Sequence, residues 1–186
     1  MRDAGTRLRG RCHKFGHEMH MDTKIMPYKY IGLHGFDAEK LVPHLFEEVA
    51  PDFHERARPG DFIIAGRNFA FGKAHPQGLI AIAALKLRLL CESMPFNSFR
   101  GAISRGIVCH RRCEGITDLV NDGDIVEMDY STGEFLNVTT GAGASYAPVQ
   151  QDLLEMMLLG GMKPMLEKWR DTHPAALGRE TAGRDG

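Results

Sequence analysis

The sequence predicts an α/β fold, and three features carry that prediction. A short apolar run of strand length, Asp61-Phe62-Ile63-Ile64-Ala65, opens behind the breaker pair Pro59-Gly60 and feeds through a polar turn at residues 66–78 into an apolar, helix-length run at 79–90. A second unit of the same kind follows, with a strand end at 91–94, a helix at 96–105 behind Pro95 and closed by Gly106, and a strand at 107–110. The last third changes to alternation: residues 125–130 alternate apolar and polar, Ser131-Thr132-Gly133 makes a hairpin loop, and 134–139 returns as the partner strand. Two strand–helix units in succession imply parallel strands joined by a buried helix.

The remaining elements fit around that frame. Residues 10–15 read as a first short strand, 16–24 as a polar loop and 25–31 as an extended piece. Asp37 is a good N-cap for a helix over 38–50, in which Leu41, Leu45 and Val49 share a stripe with Phe46 beside it, and Pro43 falls where a first turn tolerates it. Residues 52–58 form a polar link into the central strand. Gly141-Ala142-Gly143-Ala144 reads as a flexible break, followed by helices at 149–160 and 162–170. A leader at 1–9 and a tail at 171–186, rich in Gly and Arg, flank one domain at 10–170.

Composition narrows the function classes. With 43% hydrophobic and 25% charged residues and a net charge of −1, the chain carries no electrostatic signature for nucleic acid or a membrane surface. No apolar run is long enough for a membrane span and no signal-peptide segment appears, so a cytoplasmic location is expected. Cys12, Cys91, Cys109 and Cys113 read as reduced thiols rather than a disulfide framework. The Cys109-His110-Arg111-Arg112-Cys113 stretch lacks the second ligand pair of a zinc site. His17-Glu18-Met19-His20 has its second histidine one residue early for a zinc-protease helix, so no metal site is assigned.

The loop between the central strand and the apolar helix is the candidate site. A helix start directs free N–H groups at whatever lies over it, which suits a carboxylate or phosphate. Lys73 and His75 add side-chain charge there, beside Gly72, Ala74 and Asn68. A nucleotide phosphate loop is rejected, because five residues rather than four separate Gly66 and Gly72, and Ala74 stands where a hydroxyl is required. Asn68 and Arg67 suit turn stabilisation, and Lys86 and Arg88 the exposed edge of the helix.

A resemblance runs through these pieces. Phe15-Gly16, Asp22-Thr23, Tyr30, Arg58-Pro59-Gly60-Asp61-Phe62-Ile63-Ile64-Ala65-Gly66-Arg67-Asn68-Phe69, Glu92-Ser93, Arg100-Gly101-Ala102-Ile103-Ser104-Arg105-Gly106, Asp122-Gly123-Asp124 and Asn137-Val138-Thr139-Thr140-Gly141 resemble, in order and spacing, the small subunit of 3-isopropylmalate dehydratase. The resemblance spans residues 10–170 and implies a swivelling β/β/α barrel of the aconitase type. It implies a partner, a large subunit carrying a 4Fe-4S cluster, with no cofactor in this chain. It also implies a hydro-lyase reaction of leucine biosynthesis, removing and returning water on a branched hydroxy-diacid. Lys73 falls where the family has a serine base and His75 where it has a carboxylate-binding arginine, so these two are the catalytic candidates. Gly72, Ala74, Asn68, Ser104 and Arg105 are carried over as substrate-binding candidates. Two assignments stay open: Lys73 as base, or Lys73 as carboxylate clamp with His75 taking the proton. A related diacid, of dimethylmalate or maleate type, and a non-catalytic partner domain are the alternatives.

Overall fold

The computed structural model describes residues 5–73 and 75–173. Its seven strands form one mixed sheet that curls into a half-barrel, in the order β4-β3-β2-β1-β5-β6-β7. Strand β1 (Arg7–Lys14) is the seam: β2 (Phe62–Ala65) runs parallel to it on one side and β5 (Ile125–Asp129) antiparallel on the other. Beyond β2 the strands β3 (Arg88–Cys91) and β4 (Cys109–His110) stay parallel; beyond β5 the strands β6 (Glu134–Asn137) and β7 (Gly143–Ser145) stay antiparallel.

The burial of each strand follows from its place. All four residues of β2 are buried, as a strand covered on both faces requires. In β5 the side chains of Val126 and Met128 go to the core while Ile125 and Glu127 are only half covered. β1 begins at Arg7, inside the stretch predicted as leader, because residues 7–11 pair with β5.

The largest departure from the sequence reading lies at residues 79–90. That apolar run is not one helix. It is α4 (Gln77–Ala84), a turn, and then β3. The Lys86 N–H donates to the Ala83 carbonyl and the Leu87 N–H to the Ile82 carbonyl, with Lys86 at φ +53°. This is a Schellman closure with lysine where glycine is the usual signal, so the stop was invisible in the sequence. Arg88 therefore sits on a strand, its guanidinium 5.1 Å from the Phe62 ring, rather than on a helix edge.

Other departures share one cause, tertiary bonds overriding local pattern. The predicted helix at 38–50 is only α2 (Ala38–Leu41) and a 3-10 turn (Val42–His44), although Asp37 does cap it through its carboxylate. Phe46, at φ +60°, gives its N–H to the Ile25 carbonyl instead of continuing the helix. Its ring stacks on Phe15 at 4.2 Å and meets Phe53 edge-on at 4.8 Å, pairs worth about 1 kcal/mol each beyond their burial. Phe53 begins α3 (Phe53–Arg56), within the stretch predicted as a link, and Val49 is exposed. The extended piece predicted at 25–31 contains the end of a π-helical turn (Met21–Ile25) and most of α1 (Tyr28–His34), and the predicted break at 141–144 contains the start of β7. α5 (Phe96–Ser104), α6 (Gln151–Leu158) and α7 (Met162–Thr172) lie close to their predicted bounds, with α7 running past the expected domain end at residue 170. Residues 174–186 of the predicted tail lie outside the described residues.

Candidate functional site

The parallel strands β1 to β4 all end at one edge of the sheet, and the loops that follow them meet there. Open α/β sheets carry their binding crevices at that edge. The loop after β2 is pinned from both sides. The Asn68 N–H donates to Ser93 Oγ (2.9 Å) and the Phe69 N–H to the Ser93 carbonyl (3.0 Å), while the Ala70 N–H reaches the Met19 carbonyl (2.8 Å). Phe71 bridges to His20, and Ser98 Oγ donates to the Ala70 carbonyl at 2.6 Å. Both Asn68 and Ala70 adopt left-handed backbone, at φ +56° and +59°. For alanine that conformation costs about 1 kcal/mol and persists only where surrounding bonds impose it.

The chain then passes Gly72, at φ +105°, where a Cβ would lie 2.5 Å from His20 Nε2, so only glycine fits. Lys73 is exposed; its carbonyl accepts the His75 N–H at 2.8 Å, and its side chain makes no hydrogen bond or ion pair among the described residues. Ala74 lies outside the described residues. Pro76 occupies the N-cap position of α4, and among the described residues no side chain caps the first turn, whose residues Gln77, Gly78 and Leu79 are buried.

His75 and Asp22 make the best-defined pair at this bend, His75 Nδ1 lying 2.9 Å from Asp22 Oδ1. Asp22 is 8% exposed and comes from the π-helical turn at Met21–Ile25; its own N–H donates to His20 Nδ1. The Tyr28 ring stands 5.8 Å from the imidazole. Beneath them Gln77, 4% exposed, gives its amide N–H to the Gly35 carbonyl at 3.0 Å and leaves its buried Oε1 without a partner. The sequence reading did not include Asp22 or Gln77 among its candidates. The Asp22–His75 contact joins residues 53 apart, which no local spacing reveals.

The other sequence candidates divide. Asn68 lies on this edge, but its side chain donates to Glu18 Oε1 at 2.7 Å, a turn-holding bond. Ser104 and Arg105 lie at the other end of the sheet, where α5 finishes and the chain turns toward β4. Ser104 Oγ donates to the Arg100 carbonyl and Arg105 Nη1 to the Gly101 carbonyl, so the structure does not bring them to Lys73 and His75. On the same edge as the loop, a cavity of about 540 Å³ is lined by His17, Arg67, Ser93, Arg112 and the acids Glu92 and Glu114, with Thr117 donating to Glu92 Oε1.

Near β4, burial pushes the Cys109 thiol up to about 12, and Cys91 and Cys113 well above the ordinary range, so all three rest as neutral thiols. No group of His, Cys, Asp and Glu among the described residues can hold a metal ion. Nor is any described helix long and apolar enough to cross a membrane.

Known proteins resemble the chain in sequence and in fold. The chain is 32% identical over 163 residues to the 3-isopropylmalate dehydratase small subunit of Thermodesulfovibrio yellowstonii, covering 87% of this chain and 95% of the relative. It is 30% identical over 162 residues to the isopropylmalate/citramalate isomerase small subunit of Methanocaldococcus jannaschii, covering 87% and 94%. The crystal structure of 3-isopropylmalate dehydratase from the latter organism superimposes with a TM-score of 0.79 at 28% identity, over 92% of this chain and 99% of the other. No protein-family model matches the chain.

Proposed function

Since this chain belongs to the family of 3-isopropylmalate dehydratase small subunits, hydro-lyase components by class, we propose that it closes over a large subunit and shares a site for a branched hydroxy-diacid. The observation that carries this reading is the bend at residues 72–77. A lysine whose side chain has no partner among the described residues, an aspartate-backed histidine and the start of α4 follow one another there. The uncapped amides and Lys73 bind a substrate carboxylate. His75, with its Nε2 unengaged, takes the proton beside a carboxylate. The C–H bond breaks, its proton passes to Nε2, its electron pair becomes the double bond, and hydroxide leaves. The hydroxide's Lewis acid would be a 4Fe-4S cluster held by the large subunit, as the family resemblance implies.

Lys73 and His75 replace the serine and arginine that the family resemblance places in this register, so the two roles are redistributed rather than copied. The geometry favours Lys73 as clamp over Lys73 as base, because only His75 has a partner that orients it. A smaller diacid is the second reading, favoured by the altered loop and by the relative named for citramalate as well as isopropylmalate. A cytoplasmic location accords with four free, buried cysteines.

Co-purification with a candidate cluster-binding large subunit, followed by a screen of hydroxy-diacids and their unsaturated products, tests the reading. A complex that turns over 3-isopropylmalate or a related diacid supports it. A chain that forms no complex, or a complex inert toward every diacid, contradicts it.

A further inference from the structure

The geometry points to Asp22 as a positioning residue that fixes the tautomer of His75 and so leaves Nε2 as the proton acceptor; this inference rests on the reading of the bend as a proton-transfer site. Three observations carry it. First, an ionised carboxylate only accepts hydrogen bonds, so the 2.9 Å contact from Asp22 Oδ1 places the ring proton on Nδ1 and the lone pair on Nε2. Second, the carboxylate is held where it cannot swing away. Asp22 is nearly buried, and its N–H is tied to His20 Nδ1 at 3.2 Å. The turn that carries Asp22 is π-helical, a widened geometry that is rare and recurs at functional sites. Third, no protein group among the described residues engages His75 Nε2, although the ring is only partly exposed, beside Tyr28.

A purely structural role for Asp22 is the competing account, since a nearly buried carboxylate needs a partner somewhere. The two accounts differ in what happens to the ring. An asparagine at residue 22 can present its NH₂ to Nδ1, which moves the proton to Nε2 and blocks the acceptor. In the serine-protease triad, which has the same acid–imidazole arrangement, that change lowers turnover about ten-thousandfold.

The test uses the full chain with ¹⁵N-labelled histidine, with long-range ¹H–¹⁵N spectra recorded at a pH where His75 is neutral, and separately the complex with its large subunit. Wild-type His75 is expected to show the Nδ1–H form, and Asp22→Asn to shift it toward Nε2–H. In the complex, Asp22→Asn is expected to lower kcat about 10²- to 10⁴-fold with KM changed less than about threefold, and Asp22→Glu to restore part of the loss. In a His75→Ala background, Asp22→Asn is expected to add no further loss in kcat. A wild-type Nε2–H tautomer, or full additivity with His75→Ala, overturns the proposal. If Asp22→Asn does not fold, the wild-type tautomer decides. If the complex turns over no diacid, the functional reading fails, while the spectra still test the pair.

Discussion

Two bends of this chain carry a histidine among groups that could do chemistry, and they behave in opposite ways. At the bend of residues 72–77, His75 spends one ring nitrogen on Asp22 and leaves the other unengaged. At the bend after β4, His110 spends both. Its Nε2 donates to the Ala147 carbonyl at 2.7 Å, and its Nδ1 accepts from the Arg112 N–H at 3.1 Å, with the Cys113 thiol 3.3 Å away. Burial also lowers the His110 pKa, which keeps the ring neutral. In the reading proposed above, one bend presents an acceptor beside a lysine whose side chain has no partner among the described residues; the other is a hydrogen-bonded brace. The identity of the residues does not separate them; the partners do.

The largest expected effect is on turnover. His75→Ala in the reconstituted complex is expected to reduce kcat by about 10²- to 10⁴-fold, the range of a lost general base, whereas His110→Ala leaves kcat within about threefold once the variant is folded. Equal losses at both positions would erase the distinction between the bends.

The next effect is on stability in alkali and belongs to the buried thiols. Cys12 is pushed up to about 11, chiefly by burial, and Cys109 to about 12, with Cys91 and Cys113 also raised. Above pH 9 the unfolded chain ionises thiols that the folded chain keeps protonated. Folding free energy therefore falls as pH rises from about 9 toward 11, by about 1.4 kcal/mol per raised thiol per pH unit. Chemical denaturation at successive pH values should show this slope, and Cys109→Ala should flatten it by one thiol's share.

His110→Ala is expected to cost about 1–3 kcal/mol in denaturant unfolding, because the nearly buried ring no longer meets the Ala147 carbonyl. No loss would mean that the brace is not one.

The smallest effects concern backbone strain. Lys86→Gly and Ala70→Gly each relieve a left-handed position and should gain about 1 kcal/mol, read as a rise in Tm. Ala70→Gly tests whether the candidate bend holds strain that the rest of the structure over-determines.

How much of this was legible in the sequence follows the same division. The strand at β2, the hairpin of β5 and β6 and the helix α5 were readable, because alternation, a Gly-bearing turn and a proline start are local signals. The end of α4 was not, because Lys86 closes it in place of glycine. Phe46 broke its helix for a bond to Ile25, a choice made by the core rather than by neighbours in sequence. At the candidate bend, Lys73, His75 and Gly72 were proposed from the loop's position between strand and helix, and the structure places that loop after β2 and before α4. Asp22 was not, since it enters through a π-helical turn far away in the chain, and Ser104 and Arg105 were drawn in by the family motif although the fold holds them at the opposite end of the sheet.

The measurement that bears most directly on the account is steady-state kinetics of Lys73→Ala in the complex with its large subunit, across substrate concentrations. A clamp that binds a carboxylate equally in ground and transition states predicts a KM raised about ten- to a hundredfold with kcat nearly unchanged. A collapse of kcat with KM unchanged would make Lys73 the base, and no change in either constant would remove the bend at residues 72–77 from the substrate site.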